Sequence, residues 1–171
     1  MQRIFSFPET VNEVAARTVA TGVVAMALAV LLLRQYWVLV LLAYGFLARV
    51  AAGPRFSPLA LLATRIVAPR LPKYEKMVPG PPKRFAQAIG AVFATSALIA
   101  HFGFGATPVA LALMAGLAAA AFLEAAFGFC LGCSIFGALM KANLIPERVC
   151  VACADITTRP TTLSASYRNE K

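Results

Sequence analysis

At 171 residues the chain has room for one domain. Its composition, 60% hydrophobic and only 13% charged, excludes an ordinary soluble domain, which carries about a quarter charged residues. A net charge of +9 would suit nucleic acid if the cations formed one patch. Instead Lys and Arg cluster between long apolar blocks, the positive-inside pattern of a polytopic membrane protein, so nucleic acid is set aside.

The first 17 residues, "MQRIFSFPETVNEVAAR", place two acids and an Asn ahead of the apolar run. With no short h-region and no clear cleavage site, this is not read as a signal peptide. "TVNE" at 10–13 has the form of a capping box, Thr10 accepting from Glu13, so a helix is expected from near Thr10 past Arg17. Residues 14–33 make a first span of the length a bilayer core needs. "RQYW" is a tight turn with Tyr36 and Trp37 as interfacial anchors. A second span over 36–52 returns to Gly53-Pro54 and completes a helical hairpin.

Residues 53–84 carry seven Lys or Arg against one acid, Glu75, and are broken by seven prolines. Ser57-Pro58 reads as an N-cap with proline at the first helical position. "PLALLATRIVA" then forms a short helix lying in the interface, apolar side down. "KMVPGPPKRF" is an extended lead-in to a third span over 85–104, and Gly105 to Pro108 turn the chain. The fourth apolar run, Pro108 to Met140, would be about 50 Å long as one helix against a core of about 30 Å. It either projects from the membrane or breaks near Gly128, Gly132 or Gly137. The expected fold is all-α: a polytopic membrane protein with four transmembrane helices and a short interfacial helix in the central basic loop. Residues 1–153 form a single integral-membrane domain, and 154–171 a hydrophilic, disordered tail.

Four spans place both termini and the basic loop on one side, leaving Arg34 as the lone cation of the other. The positive-inside rule makes the basic side cytoplasmic. Cys130 follows Pro108 by about 33 Å of straight helix, which puts it at the cytoplasmic interface and the thiols on the reducing side.

All four cysteines fall in two Cys-x-x-Cys pairs, Cys130 with Cys133 and Cys150 with Cys153, sixteen residues apart. The spacing matches a four-thiolate zinc site. The glycine that usually follows each pair in a zinc ribbon is missing here. A vicinal dithiol at a helix end equally suits exchange, one thiol attacking a mixed disulfide and the other resolving it. Two such pairs can pass electrons or a sulfane sulfur between them. Small apolar cysteines in a buried helix are the bland alternative.

Glu124 is the only acid inside a span, and an intramembrane carboxylate needs a partner. It lies on roughly the opposite helix face from Cys130, in a small-residue ladder with Gly116, Ala120, Gly128 and Gly132. Arg49 and Arg17 enter their spans at similar depth, so a structural ion pair with one of them is favoured over proton transfer. His101, the only histidine, falls near the outer end of the third span, too far from the thiols to join a metal site.

"FSFPETVNEVAAR", "GFLARVAAGPRFSPLA", "PGPPKRFAQAIG", "LEAAFGFCLGC" and "PERVCVACAD" resemble the bacterial integral-membrane family catalogued as domain of unknown function 4395. The likeness runs from about Phe5 to Cys153. It implies a small multispan inner-membrane protein with two Cys-x-x-Cys pairs, and it brings no established activity. It also implies a setting of thioredoxin-like and rhodanese-like proteins, which favours thiol or sulfur chemistry.

The reading is therefore a four-helix membrane protein whose partners are the lipid bilayer and a thioredoxin- or rhodanese-like protein. Cys130 and Cys133 form the membrane-proximal pair, and Cys150 and Cys153 the pair presented to the soluble partner. The alternatives are a non-enzymatic protein whose four thiolates hold zinc or an iron–sulfur centre, and a small transporter for a sulfur anion.

Overall fold

The computed structural model describes residues 10–53, 56–70, 77–142 and 144. A short strand β1, Thr10–Asn12, pairs antiparallel with β2, Met77–Pro79, with Val11 opposite Val78. This pairing overrides the expected capping box. Residues 10–12 are held extended, so the first helix starts after Asn12, whose side chain accepts the Val14 N–H at 2.9 Å. Asn is among the best residues for that task.

Helix α1, Glu13–Leu33, ends at Arg34, which takes the left-handed conformation (φ 56°). The turn is braced by Trp37 Nε1–H donating to the Gln35 side-chain oxygen at 2.9 Å. Helix α2, Val38–Ala52, returns. Its 15 residues extend about 22 Å, short of a full hydrocarbon core.

Helix α3 covers 58–70, with an α-helical Pro58–Leu62, a π-helical Ala63–Val67 and a last turn Ala68–Arg70. Pro58 stands in the first turn as expected, but Ser57 does not cap it. The Ser57 hydroxyl is buried and has no hydrogen-bond partner among the described residues.

The expected extended lead-in is extended only through Pro79. Helix α4, Gly80–Leu98, opens with Pro81 and Pro82 in its first turn and runs into a π-helical Ile99–Gly103. Proline is tolerated there because first-turn N–H groups have no intrahelical acceptor. Lys83 and Arg84 are therefore helical residues.

Helix α5, Thr107–Phe127, stops at Gly128, and α6, Leu131–Lys141, follows after Cys130. The long apolar run breaks, at one of the three glycines where a break was expected. Gly128 has φ 69°, which a side chain would strain.

α1 packs along α5 and α2 along α4, while contact between α4 and α5 joins the two pairs. α3 lies against α1, and α6 leans on α4. The core holds Val30, Leu39, Leu42, Phe46 and Met114. Small residues let the helices approach closely: a Cβ on Gly132 would fall 2.6 Å from the Ala86 Cα.

The outward faces are apolar too. Val40, Leu41, Leu47, Val92 and Phe122 are all exposed, a surface suited to lipid rather than water. Glu13–Leu33, Gly80–Gly103 and Thr107–Phe127 are long and apolar enough to cross a membrane. At the far end from the cysteines, His101 stacks on Tyr36 with ring centroids 4.0 Å apart and bonds the Thr107 hydroxyl at 3.0 Å.

Candidate functional site: the dithiol loop and its buried charges

The break at Gly128 creates the site. Had α5 continued, Cys130 would lie in mid-helix. Instead Cys130 is extended (φ −91°, ψ 104°) and serves as the N-cap of α6. Its sulfur accepts the Cys133 N–H at 3.3 Å, and its carbonyl accepts the Ser134 N–H at 3.0 Å and the Ser134 hydroxyl at 3.2 Å. The first helical turn thus aims an otherwise unpaired N–H at a sulfur atom. Cys130 is buried and Cys133 half-buried, and both are free thiols.

Arg17 holds the break in place. Its guanidinium donates from Nε (3.1 Å) and Nη2 (3.0 Å) to the Ala125 carbonyl, and from Nη2 (2.8 Å) to that of Ala126. These carbonyls lie in the last turn of α5, where no further helical N–H follows and a cation is favoured. Glu13, one turn earlier in α1, sets its carboxylate against Gly128, where an added Cβ would sit 3.0 Å from Oε1.

Glu124 is paired, but with neither arginine proposed for it. Its partner is Lys83, through a short ion-paired hydrogen bond. By sequence Lys83 falls in the basic loop 53–84. The proline-led start of α4 instead makes it a first-turn helical residue facing α5, and it is buried. Arg49 is buried within electrostatic reach of Glu124 but makes no ion pair with it: its Nε donates to Gln87 at 2.9 Å, and its guanidinium lies 4.4 Å from the centre of the Phe46 ring.

The turn at Gly128 also brings Glu124, assigned by helical phase to the face opposite Cys130, within electrostatic reach of both thiols together with Lys83. The loop lies beyond the end of α5, and α6 is too short to cross a bilayer. Within it the thiols diverge. Donation from the Cys133 thiol to the Cys130 sulfur holds Cys130 below the ordinary thiol range; Lys83 and the Cys133 N–H add to this, while burial and Glu124 oppose it. Cys133 is pushed far up, chiefly because its proton is engaged by Cys130, and further by burial. A nucleophilic thiolate and a proton-holding resolving thiol are the two roles that disulfide exchange needs.

Residues 11–141 match the family described as Domain of unknown function (DUF4395). The chain belongs to that family. The match takes in every helix above and the Cys130–Cys133 pair. No curated protein and no solved structure matches this DUF4395 chain.

Cys150 and Cys153 lie outside the described residues, and with them the four-thiolate site and the exchange between pairs expected from their spacing; so does the tail 154–171. Among the described residues no three metal-ligating side chains converge. Sequence reasoning missed Lys83 and Gln87. The signal for Lys83 was present in "PGPPKRF", since paired prolines open a helix as readily as they stiffen a loop.

Proposed function

We propose that this protein is a four-span bacterial inner-membrane thiol–disulfide exchanger with both termini in the cytoplasm. Cys130 and Cys133 are its membrane-proximal redox pair. The observation that carries the reading is the placement of Cys130: N-cap of α6, accepting the Cys133 N–H, beside the buried Lys83–Glu124 pair. A buried structural cysteine needs none of these.

α2 is the fourth span. Its packing along α4 supports its lying in the same apolar layer despite its length. Arg17, Arg49, Lys83 and Arg84 mark the dithiol end of the bundle, and Arg34 the other. The positive-inside rule makes the dithiol end cytoplasmic.

Because Cys130 is buried, its exchange partner is the second pair of its own chain. The Cys130 thiolate attacks a Cys150–Cys153 disulfide, forming a mixed disulfide and releasing one cysteine of that pair as a thiolate. Cys133 gives its proton to the thiolate just released and attacks the Cys130 sulfur, closing Cys130–Cys133 and releasing the other. Two electrons pass from the first pair to the second, and the thiolates released take up two protons. Cys150 and Cys153 in turn exchange with a soluble protein carrying a reactive disulfide or persulfide, thioredoxin-like or rhodanese-like.

The test is disulfide mapping of the purified full chain. Cys133→Ala removes the resolving thiol, so mild oxidation is expected to trap Cys130 in a mixed disulfide with Cys150 or Cys153. A wild-type protein with one tightly held metal per chain and four thiols blocked to alkylation would overturn the reading.

A further inference from the structure

A cavity of about 240 Å³ opens between α1, α2, α3 and α4 at the dithiol end of the bundle. Its lining includes the apolar Ala15, Val19 and Ala60 and the polar Arg49, Lys83 and Gln87. The charges of that lining do not balance. Lys83 is neutralised by Glu124, and the Glu13 carboxylate is turned to Gly128. Arg49 is only 4% exposed. Its hydrogen bond goes to the neutral side chain of Gln87, and its ring contact is with Phe46. No carboxylate among the described residues comes within ion-pair distance of its guanidinium. Glu124 is within electrostatic reach of it but is already ion-paired with Lys83, so one carboxylate serves two buried cations. A cation removed from water with only a shared counter-charge is costly, and the cost falls when an anion is brought to it.

We propose that the cavity binds a small organic anion, its carboxylate or phosphate head on Arg49 and its apolar body along Ala15, Val19 and Ala60. The argument does not depend on the thiol chemistry. At about 30 Å³ for each water-sized group, the space takes a head and a body of roughly eight heavy atoms in all. The planar guanidinium has four N–H donors besides the Nε–H, enough to engage two oxygens of one head side by side. The apolar lining favours a ligand with a hydrophobic remainder over bare inorganic phosphate. Such a head can come from a free metabolite-sized anion or from an anionic phospholipid entering from the bilayer.

The test uses the full chain in neutral detergent, with benzoate as probe, benzamide as its uncharged counterpart, and inorganic phosphate. Calorimetry is expected to show saturable binding of benzoate, with benzamide and phosphate each weaker by about tenfold or more, the scale of one lost charge-assisted contact. Ala60→Phe fills the apolar part and leaves both cations in place, so it is expected to abolish benzoate binding in a folded protein. Arg49→Gln is expected to do the same if it folds. Repeating the titration in nanodiscs separates the sources: phosphatidylglycerol competing with benzoate where phosphatidylcholine does not identifies a lipid head, and equal binding in both identifies a free anion. Equal binding of benzoate and benzamide, or unchanged benzoate binding in Ala60→Phe, would overturn the proposal.

Discussion

Lys83 in the first turn of α4 is ion-paired with Glu124 in the last turn of α5, across 41 residues of sequence. The pair ties the two helices that flank the dithiol loop, and both side chains are largely removed from solvent. A buried pair of this kind is strongly destabilised when one partner is removed, because the other is left charged and unpaired.

Glu124→Gln is accordingly expected to destabilise the detergent-solubilised protein by about 3–5 kcal/mol, and Lys83→Met by a similar amount. The double variant Lys83→Met/Glu124→Leu, which leaves no buried charge, should recover most of the loss. Equilibrium unfolding of all four proteins gives the coupling. Additive single effects would mean that the two side chains do not interact.

The thiols should titrate in opposite directions. Cys130 is held below the ordinary thiol range mainly by the proton that Cys133 shares with it. A lowered value means more thiolate at a given pH, so Cys130 should be alkylated by iodoacetamide at lower pH than an ordinary free thiol. Removing the donor with Cys133→Ala should move the pH–rate profile upward and slow alkylation at pH 7. Cys130→Ala should leave Cys133 slow throughout that range, because burial alone still disfavours its thiolate.

Two glycines of α6 offer a matched comparison. A Cβ at position 132 meets the Ala86 Cα at 2.6 Å, whereas position 137 faces open space. Gly132→Ala should cost about 1–3 kcal/mol as overpacking, and should speed alkylation of Cys130 by pushing α6 off α4. Gly137→Ala should instead stabilise by about 0.5–1 kcal/mol, the usual gain for a helix interior. Thermal unfolding and alkylation rates on the same samples check both.

The proposed orientation makes a separate prediction. On a cysteine-free background, Phe104→Cys, at an exposed position next to the α4–α5 turn, should react with an impermeant maleimide added outside intact cells. Glu75→Cys, in the basic segment, should react only after permeabilisation. The reverse pattern would turn the protein over and place the dithiol on the oxidising side.

The all-α architecture could be read from the chain because it follows from local quantities. Long apolar blocks, a helix-opening proline and glycines in the fourth run act over a turn or two, whatever the rest of the molecule does. The pairing of Cys130 with Cys133 is likewise a matter of spacing. Where local signals competed, distant strands decided: β1 pairing with β2 holds Thr10–Asn12 extended and hands the cap from Thr10 to Asn12.

The tertiary structure alone chose among the breaks and among the cations. Three glycines offered a break, and the chain breaks at Gly128, where Arg17, more than a hundred residues earlier, takes the Ala125 and Ala126 carbonyls and Gly132 seats α6 on Ala86. That turn, which helical phase could not anticipate, moved Glu124 toward the thiols. Lys83 displaced Arg49 and Arg17 as its partner because an ion pair needs its atoms within a few ångströms, a distance set by how α4 and α5 are aligned in depth and rotation. Hydropathy reports which residues enter the membrane, while that alignment is fixed by packing between helices distant in sequence.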